Sequence, residues 1–267
     1  MAKVGVVAGS GKLPIIFADL ARAKGEKLVG IGLKGVTDPA LESHVDKFIW
    51  VDPGAVQKAI FAIVTERIGK VVMLGKLGKD MIFKNSEGLD AGAKTMLGKL
   101  QDRKDYSILK EAAKFLGKFG IEIMDPTPYL GELIPQKGVL TGRGPTESEA
   151  SDIEYATGIA RELARFDIGQ TVAVKSKTVL ALEAAEGTDE TITRAGAMSK
   201  KGFVVAKLAR PNQDMRFDVP LVGLETVEGL ISAGGTALAL EAGRTFLIDR
   251  AEIIKLADEK SVAIVIV

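Results

Sequence analysis

Apolar positions in the first half of the chain follow two alternating rhythms. Short unbroken runs, Lys3–Ala8, Lys27–Leu33, Lys47–Val51 and Lys70–Gly75, have the length and β-branched content of strands buried on both faces. Between them the period lengthens. Leu13, Ile16, Phe17 and Leu20 recur at helical spacing behind Pro14, which suits a first helical turn. Ala55–Ile68 repeats the helical pattern, and a helix over Tyr106–Phe119 precedes a fifth run, Ile121–Met124. This alternation predicts a parallel sheet covered by helices, an α/β, Rossmann-like N-terminal domain.

The rhythm breaks between Asp125 and Gly138, where three prolines and two glycines fall together and neither helix nor strand can run through. We read a linker there, with domains at 1–133 and 134–267. Beyond it, Thr146 with Glu149 three residues on forms a capping box. The helix it opens carries Ile153, Ala156, Ile159, Ala160 and Leu163 on one face. Strands are expected at Thr171–Ser176, Val179–Ala184, Gly202–Lys207, Val219–Val222 and Val262–Val267. Helices are expected from Thr188, after Thr226, and from an Asp249 cap with Glu252. This half reads as an α+β domain, and 267 residues suit two cores of roughly 130 each.

Composition narrows the chemistry. Charges nearly cancel, 36 Lys and Arg against 35 Asp and Glu, which argues against nucleic-acid wrapping. Cysteine is absent and His44 is the single histidine. Disulfides, thiolate nucleophiles, Ser-His-Asp catalysis and Cys/His zinc sites are thereby set aside. No run approaches a membrane span, and the glycine-broken N-terminus does not read as a signal peptide, so a cytoplasmic protein is expected. Carboxylates, Lys/Arg, backbone amides and an oxygen-preferring metal are left to do the work.

The run Pro211-Asn212-Gln213-Asp214-Met215-Arg216-Phe217-Asp218-Val219-Pro220 sets two acids and an arginine at a period of two. In an extended strand Asp214, Arg216 and Asp218 share a face, which suits a Mg²⁺-bound phosphate: hard oxygens for the metal and a planar cation for the anion. A solvated strand with an internal ion pair is the alternative. Glu183, which interrupts an apolar run, and Glu186 are further metal-ligand candidates. Thr188, which can cap the following helix, and Lys207 are substrate-binding candidates; Lys207 stands with Lys200, Lys201 and Arg210 just upstream of the acidic run, where cations beside acids suit a diphosphate, a solvated basic face being the plain reading. Gly9-Ser10-Gly11 at the end of the first strand resembles a phosphate-binding turn. Pro14 stands where a dinucleotide fingerprint needs its third glycine, and Lys34-Gly35 where it needs an acid. Gly75-Lys76-Leu77-Gly78-Lys79 is a second loop for the same crevice. A tight structural turn and a solvated loop are the plain alternatives for these two segments.

Val7-Ala8-Gly9-Ser10-Gly11-Lys12-Leu13-Pro14, Gly138-Val139-Leu140-Thr141-x-Arg143-x-Pro145-Thr146, Asp167-Ile168-Gly169-Gln170, Leu182-Glu183-Ala184-Ala185-Glu186-Gly187-Thr188-Asp189 and Gln213–Pro220 with Gly223 and Thr226 together resemble the LpxI family, the UDP-2,3-diacylglucosamine diphosphatases of lipid A synthesis. The resemblance runs in order along nearly the whole chain. Asp102-Arg103-Lys104-Asp105 and Leu221-Val222 depart from it. It implies a two-domain, Mg²⁺-dependent enzyme, with Mn²⁺ as a substitute, that hydrolyses UDP-2,3-diacylglucosamine to UMP and 2,3-diacylglucosamine 1-phosphate, the lipid held between domains. Asp214 and Asp218 would then hold the metal or orient the water, with Arg216 and Arg143 on the phosphates. Peripheral contact with the inner membrane and a homodimer fit that picture. A nicotinamide-dependent oxidoreductase and a non-catalytic carrier of a nucleotide-linked lipid are the rival readings.

Overall fold

The structure is a computed structural model that describes residues 3–76, 88–100, 105–211, 213–217 and 219–267, with the backbone alone at 105 and 106. The chain divides into two compact units. One comprises Met1–Leu130 and Met215–Asp218, the other Gly131–Asp214 and Val219–Val267.

In the first unit the order is β1 (Lys3–Ala8), α1 (Leu13–Ala23), β2 (Lys27–Leu33), a 3₁₀ turn (Pro39–His44), β3 (Lys47–Val51), α2 (Val56–Thr65), β4 (Lys70–Leu74), α3 (Ala91–Leu97), α4 (Asp105–Gly117), β5 (Glu122–Ile123) and α5 (Thr127–Leu130). The five strands run parallel in the order β3-β2-β1-β4-β5. This doubly wound order follows from right-handed crossovers on both faces. Val29, Ile31, Ile63 and Val71 fill one side of the sheet almost without exposure. The first part of the Pro-rich segment read as a linker, up to Leu130, is docked on this unit, and the boundary between the units falls within the segment, after Leu130. Leu130 is fully buried, and the Tyr129 hydroxyl donates to Glu26 Oε1 at 2.6 Å.

The second unit contains β6 (Gly138–Val139), α6 (Glu147–Phe166), β7 (Thr171–Lys175), β8 (Thr178–Leu182), α7 (Thr188–Ser199), β9 (Phe203–Lys207), β10 (Leu221–Val222), α8 (Leu224–Ser232), β11 (Gly235–Leu240), β12 (Phe246–Leu247), α9 (Arg250–Glu259) and β13 (Ala263–Ile266). Its main sheet has the order β6-β13-β11-β9-β7-β8. The central β9, β11 and β13 are parallel, while β7, β8 and β6 are antiparallel to their neighbours. The domain is therefore built on a mixed sheet with helices interleaved between strands, only a loose match to the α+β expectation.

Side chains of the parallel strands alternate between two cores. Val205, Leu238, Leu240 and Ile264 face α7, α8 and α9 through Ile192, Leu230 and Ile253. On the other face Ala206, Ala237, Ala239 and Ala263 meet Ile153, Ala156 and Ala160 of α6. Small residues on both sides let that long helix lie close to the sheet. Its start carries the expected capping box: Thr146 Oγ1 accepts from Glu149 N at 3.2 Å, and Glu149 Oε2 accepts from Thr146 N at 2.8 Å. Asp249 does not cap α9 through its side chain; its backbone turns left-handed, φ 54°.

One strand goes beyond the sequence reading and one expected strand is absent. Gly235–Leu240, for which no element was expected, is a central strand of the sheet although its Ala and Leu content favours helix, a propensity that burial between two strands overrides. Conversely, Gln213–Phe217 is turn and irregular backbone, not strand. The alternation of Asp214 and Arg216 therefore does not place them on one face. Phe217, 2% exposed, belongs to the core of the first unit, and the Arg216 guanidinium lies 5.0 Å from its ring centroid.

Candidate functional site

Polar side chains converge at the carboxyl end of β9, where ligands of parallel sheets gather. Lys207, the last residue of β9, pairs in register with Thr171 on one side and Leu240 on the other. Its Nζ donates to Thr188 Oγ1 at 2.7 Å. The Thr188 hydroxyl donates to Glu183 Oε1 at 3.1 Å and lies 3.3 Å from Thr171 Oγ1. Glu183 Oε2 accepts from Gln170 N at 3.2 Å. Three predicted residues, Glu183, Thr188 and Lys207, thus form one connected half-buried chain running carboxylate, hydroxyl, ammonium.

Gly169 makes the arrangement possible. A Cβ there would lie 2.1 Å from Glu183 O, a backbone overlap with no flexible group to yield. Gly169→Ala should cost about 1–3 kcal/mol of stability and displace Glu183; chemical denaturation at neutral pH is the check.

The exit of β9 is bracketed from both sides. Leu208 N donates to Gln170 O at 2.9 Å and Ala209 N to Glu241 Oε2 at 2.8 Å. Arg210 Nε bonds Asp167 Oδ1. Arg244 Nη1 donates to the carbonyls of Arg210 at 3.2 Å and Pro211 at 2.9 Å, fixing the start of the segment that carries Asp214. Asp167, Glu241 and Arg244 were not singled out from sequence as site residues. The signal for the last two was the apolar run before Glu241 and the glycine between them, Gly243, which has φ 71°.

Other predicted residues fall elsewhere. Asp214 is half-buried and Arg216 exposed; Asp218 lies outside the described residues, as do Leu77, Gly78, Lys79 and Asp102. Glu186 pairs with Arg194 Nη2 at 2.5 Å rather than joining Glu183. Among the described residues no three Asp, Glu or His side chains are placed to hold a metal ion. Glu183 and Glu186, each a metal-ligand candidate, thus have separate partners, Thr188 and Gln170 N for the first and Arg194 for the second.

Arg143 is occupied. Its five N–H donors go to Ser261 O, Gly144 O, Thr236 O and, as a fork, both oxygens of Glu149. A phosphate would have to displace these partners, so the expected phosphate role is replaced by a structural one joining α6 to the amino ends of β11 and β13. Burial would raise the Glu149 carboxyl, but the hydrogen bonds from Arg143, Thr146 N and Thr236 with the Arg143 charge outweigh it and hold it at about 2, against its ordinary 4.5. A depressed carboxylate stabilises the fold fully above its unfolded value and loses that contribution as pH falls through its folded value. Glu149→Gln should therefore melt below wild type at pH 7, with the gap closing between pH 4.5 and 2; paired melting curves across that window check it.

In the first unit, Gly9-Ser10-Gly11 and Lys76 end the adjacent strands β1 and β4, the switch point of the sheet. Ser10 and Lys76 exchange backbone bonds of 2.9 and 3.0 Å, and Ser10 Oγ donates to Lys76 O at 3.2 Å. Gly9 is needed for this approach, since its Cβ would sit 2.5 Å from Lys76 O. Gly11 has φ +94° with open space around it. A side chain at Gly11 would strain the backbone with or without a ligand, so the exposed Lys76 is the cleaner probe of ligand contact.

Comparison with known proteins bears on both units. The LpxI N-terminal domain model matches residues 3–133 and the LpxI C-terminal domain model residues 136–265. The UDP-2,3-diacylglucosamine pyrophosphatase LpxI of Caulobacter vibrioides is 29% identical over 97% of this chain and 95% of its own length. Among solved structures, the biotin carboxylase subunit of pyruvate carboxylase covers 65% of the chain at 14% identity and TM-score 0.28. A biotin carboxylase from Campylobacter jejuni covers 74% at 10% identity and TM-score 0.30. The chain spans 35% and 42% of those two proteins, a likeness too slight to argue from.

Proposed function

The chain belongs to the LpxI family, and from that premise we propose that it hydrolyses the diphosphate of UDP-2,3-diacylglucosamine to UMP and 2,3-diacylglucosamine 1-phosphate, a step of lipid A biosynthesis. The observation that carries this reading is the match of both family domains, in order, with a named pyrophosphatase aligned over 97% of the chain. Water adds to one phosphorus, the bridging P–O bond breaks, and the departing phosphate leaves with the electron pair.

The residues supply what such a displacement needs. Lys207, bonded through Thr188 to Glu183, is our choice of cation to neutralise diphosphate charge. Asp214, on the segment bracketed by Arg244, is our choice to orient the water, with Asp218 as its partner. Mg²⁺, or Mn²⁺ in its place, is expected to bind Asp214 and Asp218 and would supply Lewis-acid stabilisation of the phosphate oxygens. Gly9, Ser10, Gly11 and Lys76 are proposed contacts for the nucleotide part, because glycine-opened turns at a switch point let backbone N–H groups meet an anion. We also propose a cytoplasmic protein with peripheral contact at the inner membrane face, in keeping with a lipid substrate. No helix among the described residues is long and apolar enough to cross a membrane. A homodimer is the proposed assembly.

The test is turnover with the lipid itself. UMP and the acylated sugar 1-phosphate should accumulate in equal amounts. Tight binding with no product would leave a carrier, and nicotinamide reduction without UMP would leave an oxidoreductase.

A further inference from the structure

Two arginines border the second unit's sheet, and the structure uses them differently. Arg143 spends every donor on the protein. Arg244 spends only Nη1, on the carbonyls of Arg210 and Pro211. Its Nε and Nη2 carry no hydrogen bond to any described residue, and the side chain is half-buried, not fully out in solvent. A guanidinium always carries its charge and presents its donors as a rigid fork. Fixing one nitrogen therefore fixes the direction of the others.

The loop that carries Arg244 is itself fixed. It follows β11 at the same sheet end as Lys207, since Leu240 pairs with Lys207. Glu241 at its start accepts from Ala209 N, and Gly243 turns it with φ 71°. The carbonyls that Arg244 holds belong to the segment leading to Asp214. An arginine anchored by one nitrogen to the segment that leads to Asp214, on the loop that leaves the sheet at the end where Lys207 also lies, is arranged to donate to two phosphate oxygens.

We propose that Arg244, not Arg143, is the arginine that binds the substrate's diphosphate, and that its Nη1 tether holds it ready to do so. The proposal rests on the hydrolase reading for the identity of the ligand, but it is read through binding and stands or falls apart from turnover.

The probe is UDP, which carries both phosphates without the lipid. Calorimetric titration of wild type, Arg244→Ala and Arg244→Gln should show UDP binding to wild type and at least about tenfold weaker binding to each variant, because a charge-assisted pair is lost. Arg244→Gln keeps an N–H for the carbonyl tether and has no charge, so it serves if the alanine variant fails to fold. Guanidinium ion should restore part of the affinity of Arg244→Ala. Wild-type affinity for UDP in a folded Arg244→Gln protein overturns the proposal, as does a wild type that does not bind UDP. UMP release is measured alongside. A wild type that binds UDP but releases no UMP overturns the hydrolase reading and leaves the Arg244 result to be judged on affinity alone.

Discussion

Replacing Asp214 with alanine should leave a folded protein that still binds the UDP-linked lipid and turns it over at least about 10²-fold more slowly, roughly 3 kcal/mol of transition-state stabilisation. Asp214 is half-buried in irregular backbone that is fixed upstream by the Arg244 tether. Truncating it leaves the Phe217 anchor and the sheet untouched. Binding should persist because removing one acid from a cationic site relieves no contact with lipid or nucleotide. Asp218→Ala should behave in the same way. Asp19→Ala is the control: its carboxylate faces His44 Nδ1 at 2.5 Å on the first unit, and the rate should change little. Near wild-type kcat in both folded variants of the acidic segment would move the chemistry to Glu183 and its bonded partners Thr188 and Lys207.

Stripping divalent ions should have an effect at least as large. With no cysteine and a single histidine, the donors available are hard oxygens, which favour Mg²⁺ or Mn²⁺ over softer metals. Excess EDTA should abolish UMP release, and Mg²⁺ or Mn²⁺ added beyond the chelator should restore it. Undiminished turnover in EDTA would leave phosphate neutralisation to Lys207 and the arginines alone.

The first unit was legible because its strands are continuous Val, Ile and Leu runs punctuated by glycine, a pattern few other structures produce. Its helices announced themselves through period and through Pro14. Legibility failed where a local pattern has two physical outcomes. Asp214, Arg216 and Asp218 alternate as a strand would, yet the flanking Pro211 and Pro220 and the buried Phe217 draw the chain into a turn. Gly235–Leu240 looks helical by composition and is a strand because only a strand fits between β9 and β13.

The site divides along the same line. Glu183, Thr188 and Lys207 were visible as polar residues at element ends, where function concentrates, and they proved to be bonded to one another. Arg143 misled because Glu149 has two jobs: the capping box was readable from spacing, but the fork it offers Arg143 depends on tertiary placement. Glu241 and Arg244 were hidden for a related reason. Their position at the sheet end follows from β11, and without that strand they read as an ordinary surface loop.

The most direct test of the account is a single-turnover reaction of wild-type protein and Mg²⁺ with UDP-2,3-diacylglucosamine in ¹⁸O-labelled water, followed by mass analysis of both products. Hydrolysis predicts UMP and 2,3-diacylglucosamine 1-phosphate in equal amounts, with one ¹⁸O in the phosphate of just one of them. Intact substrate after saturated binding, or products without the label, would contradict it.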